Sequence, residues 1–382
     1  MIALLHRRHF LVATGALLAS PAAAQPNGRD FATVAPDEAG FAPDMAERLD
    51  GLVADKRAWN IHGVVVLREG RLVLERYYKG LDATLGRPAT EIAFDATSLH
   101  DLRSVSKSIV ALLYGIALER GQVPPPERRL FDSLPQYADL AKDAVRARWT
   151  VHNLLTMTLG IQWEELLTPY TDPDNSEIAM DRAPDRYRYV LERPLVVAPG
   201  TRWTYCGGAT ELLAKLIADG TGKKLHEFAR EALFDPLGIG PSEWGKDGTG
   251  LEFAASGLRL RPRDLARIGQ LMIENGEGPA GSIVPAAWAK RVTSEMVACD
   301  EVRRFGYHWY TGYFGFQVAN SPVWNRARLE RFWGCYGNGG QRLWVLPGID
   351  LVVAVTAGNY DTRDQGVPPT RVLREVVLGS IV

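Results

Sequence analysis

The 382-residue chain has few cysteines and no excess of charge of either sign. Its three cysteines, Cys206, Cys299 and Cys335, are odd in number and lack CxxC spacing, which argues against a disulfide framework and a cysteine zinc cluster. Lysine and arginine total 44 against 45 aspartates and glutamates. This balance gives no reason to expect nucleic acid or an anionic membrane as a partner, so we predict a small-molecule substrate.

Several motifs of known hydrolases and metalloenzymes are also missing. The sequence contains no G-x-S-x-G, the turn that carries the nucleophile in one large class of serine hydrolases. It contains neither H-E-x-x-H nor H-x-H, the short spacings at which histidines commonly bind zinc. We therefore predict no metal site and no cofactor.

The first 24 residues have the pattern of an export signal. A basic patch with Arg7 and Arg8 precedes a short apolar stretch from Phe10 to Ala19, and small residues end the segment at Ala24. The stretch is shorter than the roughly 20 residues that span a bilayer, and no cysteine near Ala24 offers a lipid anchor. We predict a twin-arginine-like signal peptide and a periplasmic protein without a membrane anchor. The alternative is an amphipathic start to a cytoplasmic protein.

The remaining chain, residues 25–382, has strand patterns at both ends and helical patterns between them. Residues 62–79 and 342–356 each read as a β-hairpin, whereas residues 130–270 are mainly helical. We predict one α/β (α+β) domain with an antiparallel sheet flanked by helices. Its sheet lobe comprises about 25–125 and 300–382, and its inserted helical lobe comprises about 126–299.

Ser104 and Lys107 form the only S-x-x-K in the chain. Their spacing places both on one face of the first turn of a helix, where the N-terminal dipole favours developing negative charge. A lysine before an apolar helix is expected to be partly desolvated, which lowers its pKa and suits it to act as a base. The alternative is that Ser104 only caps the helix and Lys107 is solvated.

Two further segments carry candidate groups. The turn-rich stretch 199–208 presents Tyr205 ahead of a helix, where a phenol can exchange protons, although a loop tyrosine by itself is more often a packing residue. Residues 336–341 contain closely spaced glycines before the second hairpin. Such glycines let a ligand approach the backbone, or simply make a flexible loop.

In order and spacing, these three segments resemble the three motifs of the serine β-lactamase and penicillin-binding superfamily, S-x-x-K, Y-x-N and K-T-G. The resemblance runs from about Gly63 to Tyr360. It is closest to the 6-aminohexanoate-dimer hydrolase branch, on the segments 102–108, 154–160, 170–173 and 339–342.

The resemblance implies roles for individual residues. Ser104 is the acylated nucleophile, Lys107 its base or proton partner, and Tyr205 the proton carrier that serves the leaving group. The backbone N–H groups of Ser104 and Gln341 form the oxyanion hole, in which one lost donor typically costs about 100–1000-fold in rate.

Substrate-binding residues are also implied, with two departures from the family pattern. Tyr170 reaches the substrate, and Asn338, Gly339 and Gly340 occupy the K-T-G position. Gly207 replaces the asparagine of Y-x-N, and Asn338 replaces the lysine that holds the carboxylate of a β-lactam.

We therefore predict a serine hydrolase that acts through an acyl-enzyme on small esters or linear amides. The alternatives are a β-lactamase, a D-Ala-D-Ala carboxypeptidase, or a penicillin-binding sensor that acylates without turnover.

Overall fold

The computed structural model describes residues 30–84, 87–317 and 327–382. The predicted signal peptide lies outside these ranges. The strands are β1 Ile61–Arg68, β2 Arg71–Tyr77, β3 Lys79–Asp82, β4 Thr90–Ala93, β5 His100–Asp101, β6 Glu243–Trp244, β7 Leu258–Leu260, β8 Glu277–Gly278, β9 Gly281–Ser282, β10 Val297–Ala298, β11 Arg304–Phe305, β12 Tyr310–Gln317, β13 Ala327–Gly337, β14 Gln341–Leu346 and β15 Leu351–Ala357.

Helices fill much of the remaining described chain. The α-helices are α1 Met45–Ala54, α2 Val105–Glu119, α3 Val151–Leu155, α4 Ser176–Asp181, α5 Arg186–Glu192, α6 Gly207–Thr221, α7 Leu225–Ala229, α8 Pro262–Ile273, α9 Ala286–Val292 and α10 Val367–Arg371. Wider π-helical turns extend α7 to Phe234 and α10 to Val377. None of the helices in the described ranges is long and apolar enough to cross a membrane.

The main sheet joins the two ends of the chain, as the sequence predicts. Its eight antiparallel strands follow the order β10-β11-β12-β13-β14-β15-β1-β2. The N-terminal hairpin of β1 and β2 is held to the C-terminal hairpin of β14 and β15 through pairs such as Val64↔Val355 and Val66↔Val353. The predicted antiparallel sheet flanked by helices is therefore confirmed.

Strand β1 is apolar on both faces because helices cover both faces of the sheet. Val65 and Leu67 point into the core shared with α2 and α8, whereas Val64 and Val66 point into a second core shared with α1 and the C-terminal helix. Two buried faces require a continuous apolar run in place of the alternation typical of a half-exposed strand.

Helix α2 is the central helix of the larger core. Its residues from Val105 to Ala117 are all buried. Helix α9 packs so closely that a side chain at Gly115 would meet the Trp288 ring at 2.0 Å. This packing holds the first turn of α2 in a fixed place beside the cleft described next.

Candidate active site

Ser104 lies at the turn that leads from β5 into α2. Arg103 just before it has a φ of 49°, in the left-handed region, so the chain bends sharply there. Ser104 is the residue that precedes the first turn of α2, and it is 9% exposed. Its hydroxyl is therefore presented at the positive end of a long buried helix, next to the cleft.

Lys107 is buried, and its ammonium group lies between the Ser104 hydroxyl and two carboxylates. Nζ donates to Ser104 Oγ, to Glu177 Oε2 and to the Ala255 carbonyl, each at 3.1 Å. Glu165 Oε1 lies 3.3 Å from the same Nζ. All three ammonium protons thus have acceptors, and one of those acceptors is the hydroxyl to be activated.

The pKa of Lys107 shifts in the direction opposite to the sequence expectation. Burial by itself lowers this pKa, but the charges of Glu165 and Glu177 outweigh it and raise the pKa well above its ordinary value. Lys107 is therefore an ammonium ion at rest. The sequence could not reveal this, because the two carboxylates lie 58 and 70 residues further along the chain.

Tyr205 completes the group around Ser104. Its hydroxyl hydrogen-bonds to Ser104, and Lys107 Nζ lies 5.0 Å from the centre of its ring. Burial raises the pKa of Tyr205 to about 12, partly offset by the charge of Lys107. The side chain is therefore a neutral phenol near pH 7, able to donate a proton. The structure brings together the three residues that the sequence analysis named as catalytic.

Glu165 and Glu177 form a buried carboxyl pair beneath Lys107. Their carboxyl groups lie close enough to share a proton. Glu165 also accepts from the Gly207 N–H at 2.6 Å and the Trp163 ring N–H at 2.7 Å. Burial and the nearby charge of Glu177 raise the pKa of Glu165 to about 8. Near pH 7 Glu165 is therefore mostly protonated, beside the ammonium group of Lys107.

Gly207 has no side chain because Glu177 occupies the space. A Cβ at this position would lie 2.3 Å from Glu177 Oε2 and 3.2 Å from Glu165 Oε2. Glu177 thus fills space that an asparagine at position 207 would need. Glycine at position 207 is therefore needed for Glu177 to lie where it does.

The raised pKa of Glu165 makes the stability of the protein depend on pH, and one substitution should weaken that dependence. Folding raises the pKa of Glu165 from 4.5 to about 8, so this contribution is present below pH 4.5 and is lost as the pH rises toward 8. Glu177→Gln replaces the like charge with an amide donor, which lowers the pKa of Glu165. We expect the free energy of unfolding of the wild type to fall between pH 5 and pH 8, and that of the variant to fall much less.

Urea unfolding at pH 5, 6, 7 and 8 measures this difference. Glu91→Gln is the control, because Glu91 is 61% exposed and pairs only with the equally exposed Lys79. That control should follow the wild type. Equal slopes for Glu177→Gln and the wild type would contradict the shared proton.

A cleft of about 980 Å³ opens over Ser104. Tyr170 lines it and donates from its hydroxyl to Glu165 Oε1 at 3.2 Å, so it connects the cleft to the carboxyl pair. The cleft also contains acidic and basic side chains from several elements. Tyr170 therefore lines the cleft, and its contact with a substrate stays a prediction.

The residues at the expected K-T-G position are only partly in the cleft. Asn338 lines it and exchanges two hydrogen bonds with Asp361, Nδ2 donating at 2.7 Å and Oδ1 accepting at 3.0 Å. Gly339 lies under the Tyr360 ring, and Gly340 packs against the chain at Gln365. The two glycines therefore admit the protein's own residues, and the expectation that they admit a ligand is not supported.

Gln341 also differs from its expected place. It is fully buried at the start of β14, and its side-chain oxygen accepts from the Ala357 N–H at 3.1 Å. It lines neither the cleft nor the small pocket beside it that Ser104, Lys107 and Tyr205 share. Tyr336 of β13 lines that small pocket instead. The motif position assigned to Gly339 and Gly340 lies too far along the chain, because these glycines form the turn between β13 and β14. The residue of this region that reaches Ser104 is on β13, before the turn.

Sequence reasoning missed Glu165, Glu177 and Tyr336. The one feature of the sequence that indicated them was Gly207, since a glycine in place of the family asparagine leaves space for the side chain of another residue. Nothing in the spacing of the two glutamates identified them as the groups that fill it.

The chain is similar in sequence or in fold to three known proteins. A 6-aminohexanoate-dimer hydrolase from Paenarthrobacter ureafaciens is 27% identical over 349 residues, 84% of this chain and 77% of that protein. The solved structure of a putative 6-aminohexanoate-dimer hydrolase from Bacillus anthracis has a TM-score of 0.68 at 19% identity, covering 90% of this chain and 86% of that one. EstCE1, a hydrolase with promiscuous acyltransferase activity, has a TM-score of 0.66 at 15% identity, covering 86% and 97%.

The family model described as Beta-lactamase matches residues 45–374. This range includes Ser104, Lys107, Tyr205 and all eight strands of the main sheet. The chain therefore belongs to the β-lactamase family and is a serine hydrolase of that fold.

Proposed function

We propose that the protein hydrolyses small esters or linear amides through an acyl-enzyme formed on Ser104. The observation that carries this proposal is the contact of Lys107 Nζ with both Ser104 Oγ and Glu177 Oε2 at 3.1 Å. One nitrogen thereby links the nucleophile to a buried proton acceptor.

The carboxyl pair allows a resting ammonium ion to serve as a base. Lys107 passes a proton to the pair through Glu177 and then accepts the Ser104 proton on the lone pair it has gained. Ser104 Oγ forms a bond to the acyl carbon, and the positive charge on Lys107 is restored beside the developing oxyanion. The proton removed from Ser104 is thus balanced by one gained at the pair.

Tyr205 then serves the leaving group. As a phenol it donates its proton to the departing oxygen or nitrogen as the acyl bond breaks, and Lys107 replaces that proton. The leaving group departs neutral, and Ser104 carries the acyl group. Water attacks the ester in the second half of the reaction, with the same residues moving protons in reverse.

We propose Tyr336 in place of Gln341 as the second oxyanion donor, beside Ser104. Gly337 faces β14 across the hairpin, since its carbonyl accepts from the Gly340 N–H at 3.3 Å. Backbone groups alternate along a strand, so the Tyr336 N–H points to the opposite edge of β13. The pairing with β12 stops at Gly334, which leaves that edge available to a substrate carbonyl.

The charges in the cleft favour a linear substrate over a β-lactam. Asn338 is paired with an acid, and three of the four cations that line the cleft are themselves paired: Arg103 and Arg259 with Asp101, and Lys246 with Glu252. The fourth, Arg87, is exposed to solvent. The carboxylate of a β-lactam would have to compete with Asp101 and Glu252 for those paired cations. The cleft volume is at the upper end for small-molecule sites, which suits an extended amide of the kind named for the P. ureafaciens relative.

Comparing three substrates tests this class. We expect kcat/KM for a short-chain nitrophenyl ester and for a linear 6-aminohexanoate dimer to exceed that for a chromogenic cephalosporin at least about tenfold, or about 1.4 kcal/mol in transition-state binding. If the cephalosporin were the best of the three, the argument from Asn338 would be wrong. A stable acyl adduct without turnover on any substrate would favour a sensor.

We also propose that the protein is exported to the periplasm. The basic, apolar and small-residue order of residues 1–24 supports this proposal. Its partners there would be small molecules that enter the cleft.

A further inference from the structure

Three metal-ligating side chains meet behind the wall of the cleft. His62 comes from β1, Asp82 from β3 and His100 from β5, and none is more than 2% exposed. The three residues lie 20 and 18 positions apart along the chain, so no short sequence motif reveals them. They form a buried site distinct from the catalytic residues.

The hydrogen bonds around His62 determine which of its nitrogens faces the others. Nε2 lies 3.1 Å from Asn60 Oδ1. That oxygen also accepts from the Leu81 N–H, while the Asn60 amide nitrogen donates to the Leu81 carbonyl, both at 2.9 Å. The Asn60 side chain is therefore oriented by the backbone, and its oxygen requires a proton on Nε2. Nδ1 is left with its lone pair directed inward.

His100 is held in the same way. Its Nδ1 lies 3.0 Å from the backbone carbonyl of Asp101, which can only accept, so the proton is on Nδ1. Its Nε2 lone pair then points inward, at 2.8 Å from the Nδ1 of His62. Two lone pairs facing each other at that distance repel unless a cation lies between them.

Asp82 supplies the third donor. Its Oδ1 lies 3.9 Å from His62 Nδ1 and 3.7 Å from His100 Nε2. Together with the 2.8 Å between the nitrogens, these distances define a triangle whose centre is about 2 Å from all three atoms. Zinc bonds to imidazole nitrogen and carboxylate oxygen have this length, about 2.0–2.2 Å.

We propose that His62, Asp82 and His100 bind a divalent transition-metal ion of the zinc type. Two imidazole nitrogens and one carboxylate oxygen form a donor set that zinc readily accepts. Each ligand has an outer partner that orients it: Asn60 for His62, the Asp101 carbonyl for His100, and Tyr360, whose hydroxyl donates to Asp82 Oδ1 at 2.7 Å. The ion ties together three strands that otherwise belong to different sheets.

The site is connected to the cleft through its outer partners. Tyr360 lines the cleft, and the Arg103 guanidinium stacks on its ring at 4.4 Å. His100 precedes Ser104 by four residues. A bound ion would therefore stabilise the segment that enters α2, as a structural ion without contact with the reacting atoms.

Metal uptake by the whole protein tests the proposal. Protein stripped with a chelator is dialysed against Zn²⁺ and assayed for bound metal, and a parallel sample is loaded with Co²⁺ for its visible spectrum. We expect one ion per chain, a raised unfolding temperature with Zn²⁺, and cobalt bands of a site with nitrogen and oxygen ligands. Uptake well below one ion per chain would overturn the proposal and leave the two histidines sharing a proton.

Ligand variants assign the site. His62→Gln and His100→Gln should weaken zinc binding at least about 100-fold, whereas His226→Gln, a histidine outside the cluster, should not. Asparagine at position 82 has nearly the same shape as aspartate and keeps an acceptor for the Tyr360 hydroxyl. Asp82→Asn is therefore the variant to measure if a histidine variant fails to fold. Zinc affinity unchanged in Asp82→Asn would also overturn the proposal.

Discussion

Replacing Ser104 with alanine is expected to lower the rate of ester and amide hydrolysis by at least about 10,000-fold. Without Oγ no acyl-enzyme forms, and the remaining groups can only orient water. The fold should persist, because Ser104 lies before the first turn of α2 and its hydroxyl contacts the side chains of Lys107 and Tyr205, which are both held by their own burial.

The measurement is turnover of a nitrophenyl ester, together with mass spectrometry of the protein after mixing with a slow substrate. Ser106→Ala is the matched control, since Ser106 is buried in the same turn but hydrogen-bonds to Arg103 and to Leu258. It should keep an acyl adduct that Ser104→Ala lacks. An adduct of the same mass on Ser104→Ala would refute the assigned nucleophile.

Replacing Lys107 with methionine should have the next largest effect, about a 1000-fold loss of rate. Methionine keeps the buried chain but removes the ammonium group that joins Ser104 to the carboxyl pair. It also leaves Glu165 and Glu177 buried without their cation, and breaking such an arrangement typically costs about 3–5 kcal/mol. The stability loss should be smallest at low pH, where both carboxyls can be protonated.

Lys215→Met is the control for this change. Lys215 also lies over a tyrosine ring, that of Tyr187 at 5.2 Å, but it pairs with the half-exposed Asp219 on the surface of α6. Such a surface pair is worth at most about 1 kcal/mol, so rate and stability should change little. If Lys107→Met kept its rate within tenfold of the wild type, Lys107 would not be the proton partner of Ser104.

The carboxyl pair could not be predicted from the sequence, although the catalytic residues could. Ser104 and Lys107 are three residues apart on one helix, so local geometry brings them together. Glu165 and Glu177 reach Lys107 only because the segment before α4 folds over the start of α6. Their charges reverse the expected direction of the Lys107 pKa shift.

The assignment of Gln341 shows a similar limit. Motif order correctly indicated that the chain near residues 336–341 approaches Ser104. Which backbone N–H faces the cleft depends on the strand register and on where β12 ends, and neither is visible in a single sequence.

Sequence alone determined the family, the antiparallel sheet built from both chain ends, and the meeting of Ser104 and Lys107 at the first turn of α2, because these follow from local periodicity and motif order. Only the tertiary structure decided the direction of the Lys107 pKa shift, the unpaired edge of β13 beyond Gly334, and the meeting of His62, Asp82 and His100. Those features depend on side chains that are distant in sequence and are brought within hydrogen-bond distance by packing, where burial and nearby charge decide their chemistry.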